Sequence, residues 1–111
     1  MNSSAGSANH GDARTITLVV TMEVKPEHEA GFLAFAREFA TLVHANEPDV
    51  LVCALTKHPT RDSTYVWIER YRDEATLRNH GQTSYMAEVR PKLQAWLVGA
   101  EPLRLEQVIP G

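Results

Sequence analysis

The chain has 111 residues, which is the length of one domain. Hydrophobic residues make up 43% of it and the net charge is −3, values that are ordinary for a globular protein. Because the charges are mixed and no basic patch stands out, we do not expect nucleic acid as a partner. No apolar run approaches a membrane span and no signal segment opens the chain, so we expect neither membrane insertion nor secretion.

The single cysteine, Cys53, excludes an internal disulfide and fits a reducing compartment. We therefore expect a cytoplasmic protein. The histidines are scattered at spacings that match no metal motif. The six glycines fall singly rather than in a phosphate-binding loop. We accordingly expect no metal and no other cofactor.

Residues 1–14 are rich in Ser, Gly, Asn and Ala, which predicts a disordered arm before a domain spanning residues 15–111. Apolar residues alternate from Ile16 to Val24 and predict a half-buried strand. Helical spacing follows from Glu27 to about Ala45. Its apolar stripe is expected to be mostly core and includes Phe32, Phe35 and Phe39.

Turn residues at Asn46-Glu47-Pro48-Asp49 precede a second predicted strand, Val50–Lys57. This strand is apolar on both faces, which predicts a central place in the sheet. A polar loop then leads to a third strand, Thr64–Tyr71, which places Trp67, Glu69 and Tyr71 on one face.

Asp73 can cap a short helix that runs through His80. Ser84 can cap the next helix, which Pro91 is expected to kink or restart and Gly99 to end. Alternation then predicts a last strand with Leu103, Leu105, Gln107 and Ile109.

The order β-α-β-β-α-β predicts an α+β, ferredoxin-like fold with a four-stranded antiparallel sheet. Helices on one face leave the other face uncovered, and that face is too apolar for a monomer. We therefore expect a face-to-face homodimer. The uncovered face is expected to carry the following residues or those alternating with them: Trp67, Tyr71, Leu51, Cys53 and Leu55.

Several short motifs and single residues follow one another in a characteristic order along the chain. They are Val24-Lys25-Pro26-Glu27, Asn46-Glu47-Pro48, Glu69-Arg70-Tyr71, Asp73, Ala75, Leu77, His80 and Ser84. In this set the chain resembles the antibiotic biosynthesis monooxygenase domain family, of the dimeric α+β barrel group. The resemblance implies a dimer joined through its sheets, with a pocket between sheet and helices in each subunit.

Several members of that family oxygenate polycyclic phenols or quinols without metal, haem or flavin, while others isomerise small metabolites or cleave haem. The haem-cleaving members use an Asn on the first strand and a His on the last helical region. This chain has neither, so haem cleavage is not expected. It also has Cys53 where the family often has an aromatic residue, usually Tyr.

His80 is the candidate for proton transfer, because an imidazole titrates near neutral pH and can take and return a phenolic proton. The alternative is that His80 only closes its helix through the last carbonyl groups. Glu69 is the second catalytic candidate, as a support for His80 or a substrate ligand. The alternative is a structural ion pair with Arg70, Arg72 or Arg78.

Aromatic residues supply the candidate substrate-binding walls. Trp67 and Tyr71 can stack on a flat aromatic ligand, or can instead pack in the dimer interface. Phe39 and Tyr85 are further candidates, with packing in the core as the alternative.

The leading hypothesis is a homodimeric, cofactor-independent monooxygenase acting with dioxygen on an aromatic, polycyclic phenol or quinol-type molecule. A non-catalytic ligand-binding dimer and a small-metabolite isomerase are the alternatives, because a fold alone does not separate them. A flat aromatic pocket with a reachable His80 favours the oxygenase, a polar pocket the isomerase, and a collapsed pocket the non-enzyme.

Overall fold

The structure is a computed structural model that describes residues 14–109. The predicted arm therefore lies outside the described residues except for Arg14, which is in a turn. The elements in chain order are β1 (Ile16–Val24), α1 (Glu29–Asn46), β2 (Val50–Lys57), β3 (Thr64–Tyr71), α2 (Glu74–Gly81), α3 (Ser84–Trp96) and β4 (Leu97–Glu106). Within residues 14–109, no helix is both long and apolar enough to cross a membrane.

The four strands form one antiparallel sheet in the order β2-β3-β1-β4. This order and the helical connections confirm the predicted ferredoxin-like α+β fold. The prediction that β2 is central is wrong, because β2 lies at an edge of the sheet. Its two apolar faces have another cause: one faces the helices, and the other belongs to the open face of the sheet.

The helix after β1 begins with a short 3-10 turn, Pro26–His28, before α1 proper. Pro26 suits this place because a first helical turn needs no N–H from its early residues. The buried side of α1 repeats every three or four residues and packs on the sheet. It consists of Phe32, Ala36, Phe39 and Val43.

Helix α2 begins as predicted, because the Asp73 side chain accepts hydrogen bonds from the Thr76 N–H at 2.9 Å and its hydroxyl at 2.8 Å. For α3 the predicted cap is wrong: Thr83, not Ser84, accepts the N-terminal hydrogen bond. Each cap satisfies a backbone N–H that has no partner within its helix.

The predicted end of α3 at Gly99 is wrong, as is a restart at Pro91, and a kink at Pro91 stays a prediction. The helix continues past Pro91 to Trp96, and Gly99 lies inside β4 rather than at a helix end. Pro91 and Ala87 are both exposed, so water can bond the Ala87 carbonyl that Pro91 leaves without a helical N–H.

The two faces of the sheet have different surroundings. The helices cover the face that carries Trp67, Tyr71, Cys53 and Leu55, so the alternating residues form the uncovered face. This open face contains Thr17, Val19, Thr21, Val52, Ala54, Val66, Ile68, Leu103 and Leu105. Of the two sets left open by the sequence, the alternating residues therefore form the open face, and Trp67 and Tyr71 lie beside the helices.

A substitution at Phe32 tests whether the apolar side of α1 is the side that packs on the sheet. Its side chain is fully buried and its ring centroid lies 5.5 Å from that of Tyr65. We expect Phe32→Ala to lower the free energy of unfolding by about 3–5 kcal/mol, because truncation leaves a large void. Leu42→Ala, on the exposed side of the same helix, is the control and should lose under about 1 kcal/mol. Equal losses in urea titrations would contradict the assigned face.

Candidate functional site

A cavity of about 230 Å³ lies between the helix-covered face of the sheet and the three helices. Fourteen residues line it, and most of them are aliphatic or aromatic. They are Leu18, Val20, Met22, Phe35, Phe39, Trp67, Glu69, Tyr71, Leu77, His80, Gly81, Met86, Val89 and Leu93. An enclosed apolar space with a few converging polar groups is the usual form of a small-molecule site.

His80, Glu69 and Tyr71 are ionisable side chains that line the cavity. Strand β3 places Glu69 on the covered face through its alternation, and α2 begins only two residues after β3 ends. The short helix brings His80 back over the strand in its last turn. Glu69 and His80 therefore lie close together beside the cavity, with Glu69 Oε2 3.9 Å from His80 Nε2.

The His80 imidazole is held by Glu47 through its Nδ1 atom. The distances from Nδ1 to the two carboxylate oxygens of Glu47 are 3.0 Å and 3.1 Å. The expectation that His80 serves only to close its helix does not describe this side chain, which bonds a different part of the chain. When Nδ1 carries the hydrogen that Glu47 accepts, Nε2 keeps its lone pair for another proton.

Glu47 is the site residue that sequence reasoning missed, because it was assigned only to a turn and a motif. It follows α1 directly, and its N–H bonds the Val43 carbonyl at 2.8 Å. An anion at the C-terminal end of a helix is electrostatically unfavourable, so this placement was a usable signal. In the structure the unfavourable charge is partnered by His80 and by the hydroxyl of Tyr85.

Glu69 lies on the other side of the imidazole, with Oε2 3.9 Å from His80 Nε2. That separation is too long for a hydrogen bond. Glu69 Oε1 accepts a hydrogen bond of 2.9 Å from the hydroxyl of Tyr71. Two of the three arginines named as alternative partners bond other residues: Arg70 bonds Gln107 and Arg72 bonds Asp49.

Burial is the main influence on the acid groups of this cluster. Burial raises the pKa of Glu69. His80 and the hydrogen bond from the Tyr71 hydroxyl lower this pKa in part, and the charge of Glu47 raises it further. Burial and the charge of Glu69 also raise the pKa of Tyr71, and they raise that of Cys53 to about 12. Cys53 is thus a buried thiol without nucleophilic character, 3.9 Å from Glu69 Oε2.

Three aromatic rings surround the imidazole edge of the cavity. Phe39 is central: its ring centroid lies 5.7 Å from that of Trp67 and 6.0 Å from that of His80, both in edge-on contacts. The ring of Tyr71 lies 5.4 Å from that of His80. The predicted walls Phe39, Trp67 and Tyr71 therefore meet at one cavity, and the alternative that Trp67 and Tyr71 pack in a sheet interface is wrong.

Tyr85 is placed differently from the other predicted site residues. Its ring packs edge-on against Phe39 at 5.8 Å, but it is not among the residues that line the cavity. Its hydroxyl donates a hydrogen bond to Glu47. Burial and this hydrogen bond both raise the pKa of Tyr85. Tyr85 therefore lies behind the carboxylate that holds His80.

The arrangement is suited to proton transfer. His80 Nε2 can accept a proton from a ligand, and Glu47 can stabilise the imidazolium that results. In the described part of the chain, no group of three or more His, Cys, Asp or Glu side chains is arranged to hold a metal ion.

The raised pKa of Glu69 makes a prediction about stability. Because the folded state favours the protonated carboxyl, Glu69 adds stability at acid pH that is lost as pH rises through its folded-state pKa. We expect Glu69→Gln to raise the melting temperature relative to wild type at about pH 8, and to change it little at about pH 4. Glu38→Gln, at an exposed carboxylate, should show no such difference. A Glu69→Gln gain confined to acid pH would contradict this sign.

The sequence and fold were compared with known proteins. The family model for antibiotic biosynthesis monooxygenase matches residues 15–92. A candidate antibiotic biosynthesis monooxygenase from Caulobacter crescentus CB15 has 30% sequence identity, with a TM-score of 0.82 over 86% of this chain and 92% of that chain. No functionally curated protein matches this chain.

Two more distant structures show the fold alone. A Bacteroides thetaiotaomicron protein has 21% identity and a TM-score of 0.80, over 88% of this chain and 93% of that chain. PA3566 from Pseudomonas aeruginosa has 21% identity and a TM-score of 0.77, over 90% of this chain and 99% of that chain. The family match covers most of the chain and agrees with the structural similarity. The chain therefore belongs to the antibiotic biosynthesis monooxygenase family.

Proposed function

We propose that this protein is a homodimeric, cofactor-independent monooxygenase that oxidises a small aromatic phenol or quinol with dioxygen. The observation that carries the proposal is the His80 imidazole, held by Glu47 at 3.0 Å, at the wall of an apolar, aromatic cavity. Family membership and the Caulobacter relative support a monooxygenase-type activity.

The size of the cavity supports a small substrate. Its volume of about 230 Å³ is below the roughly 300–1,000 Å³ of drug-sized ligand sites. One or two fused rings therefore fit better than a larger polycyclic system. Phe39, Trp67 and Tyr71 supply ring faces and edges against which a flat molecule can pack.

The proposed reaction begins with proton transfer. The phenolic O–H bond breaks, Nε2 of His80 gains the proton, and Glu47 stabilises the imidazolium. The electron-rich phenolate passes one electron to dioxygen, and the two radicals combine to form a carbon–oxygen bond. The peroxide anion takes the proton back from His80. His80 then removes the hydrogen of the oxygenated carbon as a proton, the electrons of that C–H bond form a C=O bond as the O–O bond breaks, and the departing hydroxide takes the proton and leaves as water. The substrate supplies all the electrons, so a quinol leaves as a hydroxylated quinone.

The competing functions fit this cavity less well. Its walls are mostly apolar, whereas an isomerase of a small polar metabolite would need more hydrogen-bonding groups around its ligand. The cavity is open rather than collapsed, and the buried acid–base cluster beside it exceeds what simple binding of an apolar ligand requires.

Oxygen consumption tests the proposed activity. We expect uptake with 1,4-dihydroxynaphthalene, which has two fused rings, and we expect His80→Ala to lower the rate about 10²–10⁴-fold, as for the loss of a general base. Glu47→Gln should also lower the rate, since the amide cannot stabilise an imidazolium as a carboxylate does. An oxygen electrode with chelator-treated protein, at equal folded concentration, provides the measurement.

Two substitutions outside the cavity serve as controls for these variants. Glu38→Gln matches Glu47→Gln in chemistry, and His58→Ala matches His80→Ala but lies in the β2–β3 loop. Both should keep the wild-type rate. Unchanged turnover in His80→Ala would remove His80 from the mechanism, and the absence of uptake with every substrate would favour the ligand-binding alternative.

The proposed dimer is supported by the open face of the sheet. Leu103 and Leu105 on this face are 57% and 45% exposed, and they stand beside Val19 and Ile68 from the neighbouring strands. Water against an apolar sheet face is unfavourable, and a second copy can cover it isologously. All residues of β4 after Leu97 are exposed, which adds to the surface available to a partner.

The dimer makes a prediction in solution. Light scattering should give a mass near twice the chain mass of 12.4 kDa at micromolar concentration. Leu103→Arg should shift the mass toward that of the monomer, because it places a charge in the proposed interface. Leu42→Arg, at an exposed leucine of α1, should leave the mass unchanged. A monomer mass for the wild type would refute the dimer. A fall to the monomer mass in Leu42→Arg but not in Leu103→Arg would refute this interface.

A further inference from the structure

The two carboxyl groups beside His80 have different geometries. Glu47 places both oxygens within hydrogen-bonding distance of Nδ1, at 3.0 Å and 3.1 Å. Glu69 leaves its Oε2 atom 3.9 Å from Nε2, beyond hydrogen-bonding distance. Glu47 therefore orients the imidazole through Nδ1. Glu69, which lines the cavity with His80, has its Oε2 atom near the other imidazole nitrogen, Nε2.

The surroundings of Glu69 contain few charges. The groups that face it are Cys53 from β2, Tyr71 from β3, His80 from α2, and Glu47 from the turn between α1 and β2. Of these four, only the imidazole can become positive, and it is already paired with Glu47. The side chain of Glu69 is mostly buried, so water provides little stabilisation for a negative charge.

When a substrate phenol gives its proton to Nε2, the charge of Glu69 determines whether Glu69 repels the resulting phenolate or donates a hydrogen bond to it. The phenolate oxygen formed in this step lies against Nε2, and Oε2 of Glu69 lies 3.9 Å from that nitrogen. A carboxylate there would repel the phenolate in a medium of low dielectric constant. A neutral carboxyl would instead offer an O–H donor to the same oxygen. Burial raises the pKa of Glu69, which favours the neutral form.

We propose that Glu69 acts as a neutral carboxyl group that donates a hydrogen bond from Oε2 to the ionised oxygen of the bound phenol. The site is thereby specific for substrates that bind as phenolates or enolates. This inference rests on the proposed function and assigns Glu69 a role other than support of His80. The hydroxyl of Tyr71 holds the other oxygen, Oε1, at 2.9 Å and so fixes which oxygen faces the ligand.

The proton balance of the binding step is simple. The phenol O–H bond breaks and the Nε2–H bond of His80 forms, so that the imidazolium lies between Glu47 and the phenolate. The phenolate oxygen then accepts hydrogen bonds from His80 Nε2 and from the Glu69 carboxyl group. Short hydrogen bonds to a charged oxygen inside an apolar cavity are stronger than those between neutral groups.

A coloured phenol provides the test, because its absorbance reports its ionisation. The experiment titrates 4-nitrophenol, free and bound, without oxygen in the wild-type protein and in Glu69→Gln, Glu69→Ala and Glu38→Gln. We expect the wild type and Glu38→Gln to bind the phenolate and to lower the apparent pKa of the bound probe. Glu69→Gln should retain phenolate affinity within about threefold, because its amide N–H also donates. Glu69→Ala should lose about tenfold or more.

Three results would overturn the proposal. If Glu69 were an ionised carboxylate, Glu69→Gln would bind the phenolate more than about tenfold tighter, because a repelling charge is gone. Unchanged affinity in Glu69→Ala would show that no hydrogen bond is made. Failure of the wild type to bind the probe, or binding only of the neutral phenol, would show that the site is not built for an anion. Circular dichroism confirms folding of each variant, and Glu69→Gln keeps the test decisive if Glu69→Ala is unfolded.

The probe experiment separates this inference from the proposed function, because it needs neither oxygen nor turnover. Phenolate binding that depends on Glu69, together with no oxygen uptake from any substrate, would refute the oxygenase and leave the anion site standing. Oxygen uptake that depends on His80, together with a tenfold gain in Glu69→Gln, would refute only the neutral carboxyl.

Discussion

A carboxyl group in the middle of an apolar strand needs hydrogen-bond partners inside the protein. Glu69 is such a group, so the residues around it have to supply these partners. Leaving such a group without partners would cost about 1–3 kcal/mol or more. Its neighbour on the same strand face, Tyr71, supplies one donor, and Cys53 on the paired strand supplies a weak one. His80 comes from α2, so this helix must return across β3 for the cluster to close.

The same condition extends to the end of α1. His80 can lie beside Glu69 only if its other nitrogen is satisfied, and Glu47 satisfies it. Glu47 in turn ends α1 and precedes β2, and the hydroxyl of Tyr85 from α3 bonds it from behind. One chain of polar contacts therefore links all three helices to the sheet. The cavity lies beside this chain, where apolar walls meet the proton-transferring groups.

The two faces of the sheet carry different kinds of residues, one for the proposed active site and the other for the proposed dimer interface. Large aromatic residues and Glu69 share the face under the helices, whereas smaller β-branched and aliphatic residues form the open face. A substitution on one face changes packing there without moving the side chains of the other, because alternate residues of a strand point in opposite directions. The proposed dimer and the proposed active site can therefore vary independently.

The sequence alone determined the first three strands, because alternation and turn residues are local signals. The last strand was predicted too late in the chain, because β4 spans Leu97–Glu106 and leaves out Gln107 and Ile109. The bounds of β1, β2 and β3 agree with the prediction, as does the Asp73 cap of α2. The element order further determined the ferredoxin-like topology. The aromatic residues and the two catalytic candidates of β3 and α2 were also found, because they lie within one short stretch of chain.

Only the tertiary structure decided which groups meet across long separations. Glu47 and His80 are thirty-three residues apart, and no local pattern pairs them. Strand alternation marks two faces but does not say which one the helices cover, so Trp67 and Tyr71 could be placed on a face only by the packing of α1 and α2. The edge position of β2 likewise depends on pairing partners rather than on its own composition. These pairings and positions depend on the packing energy of segments that are far apart in the sequence. A single stretch of sequence does not contain that information.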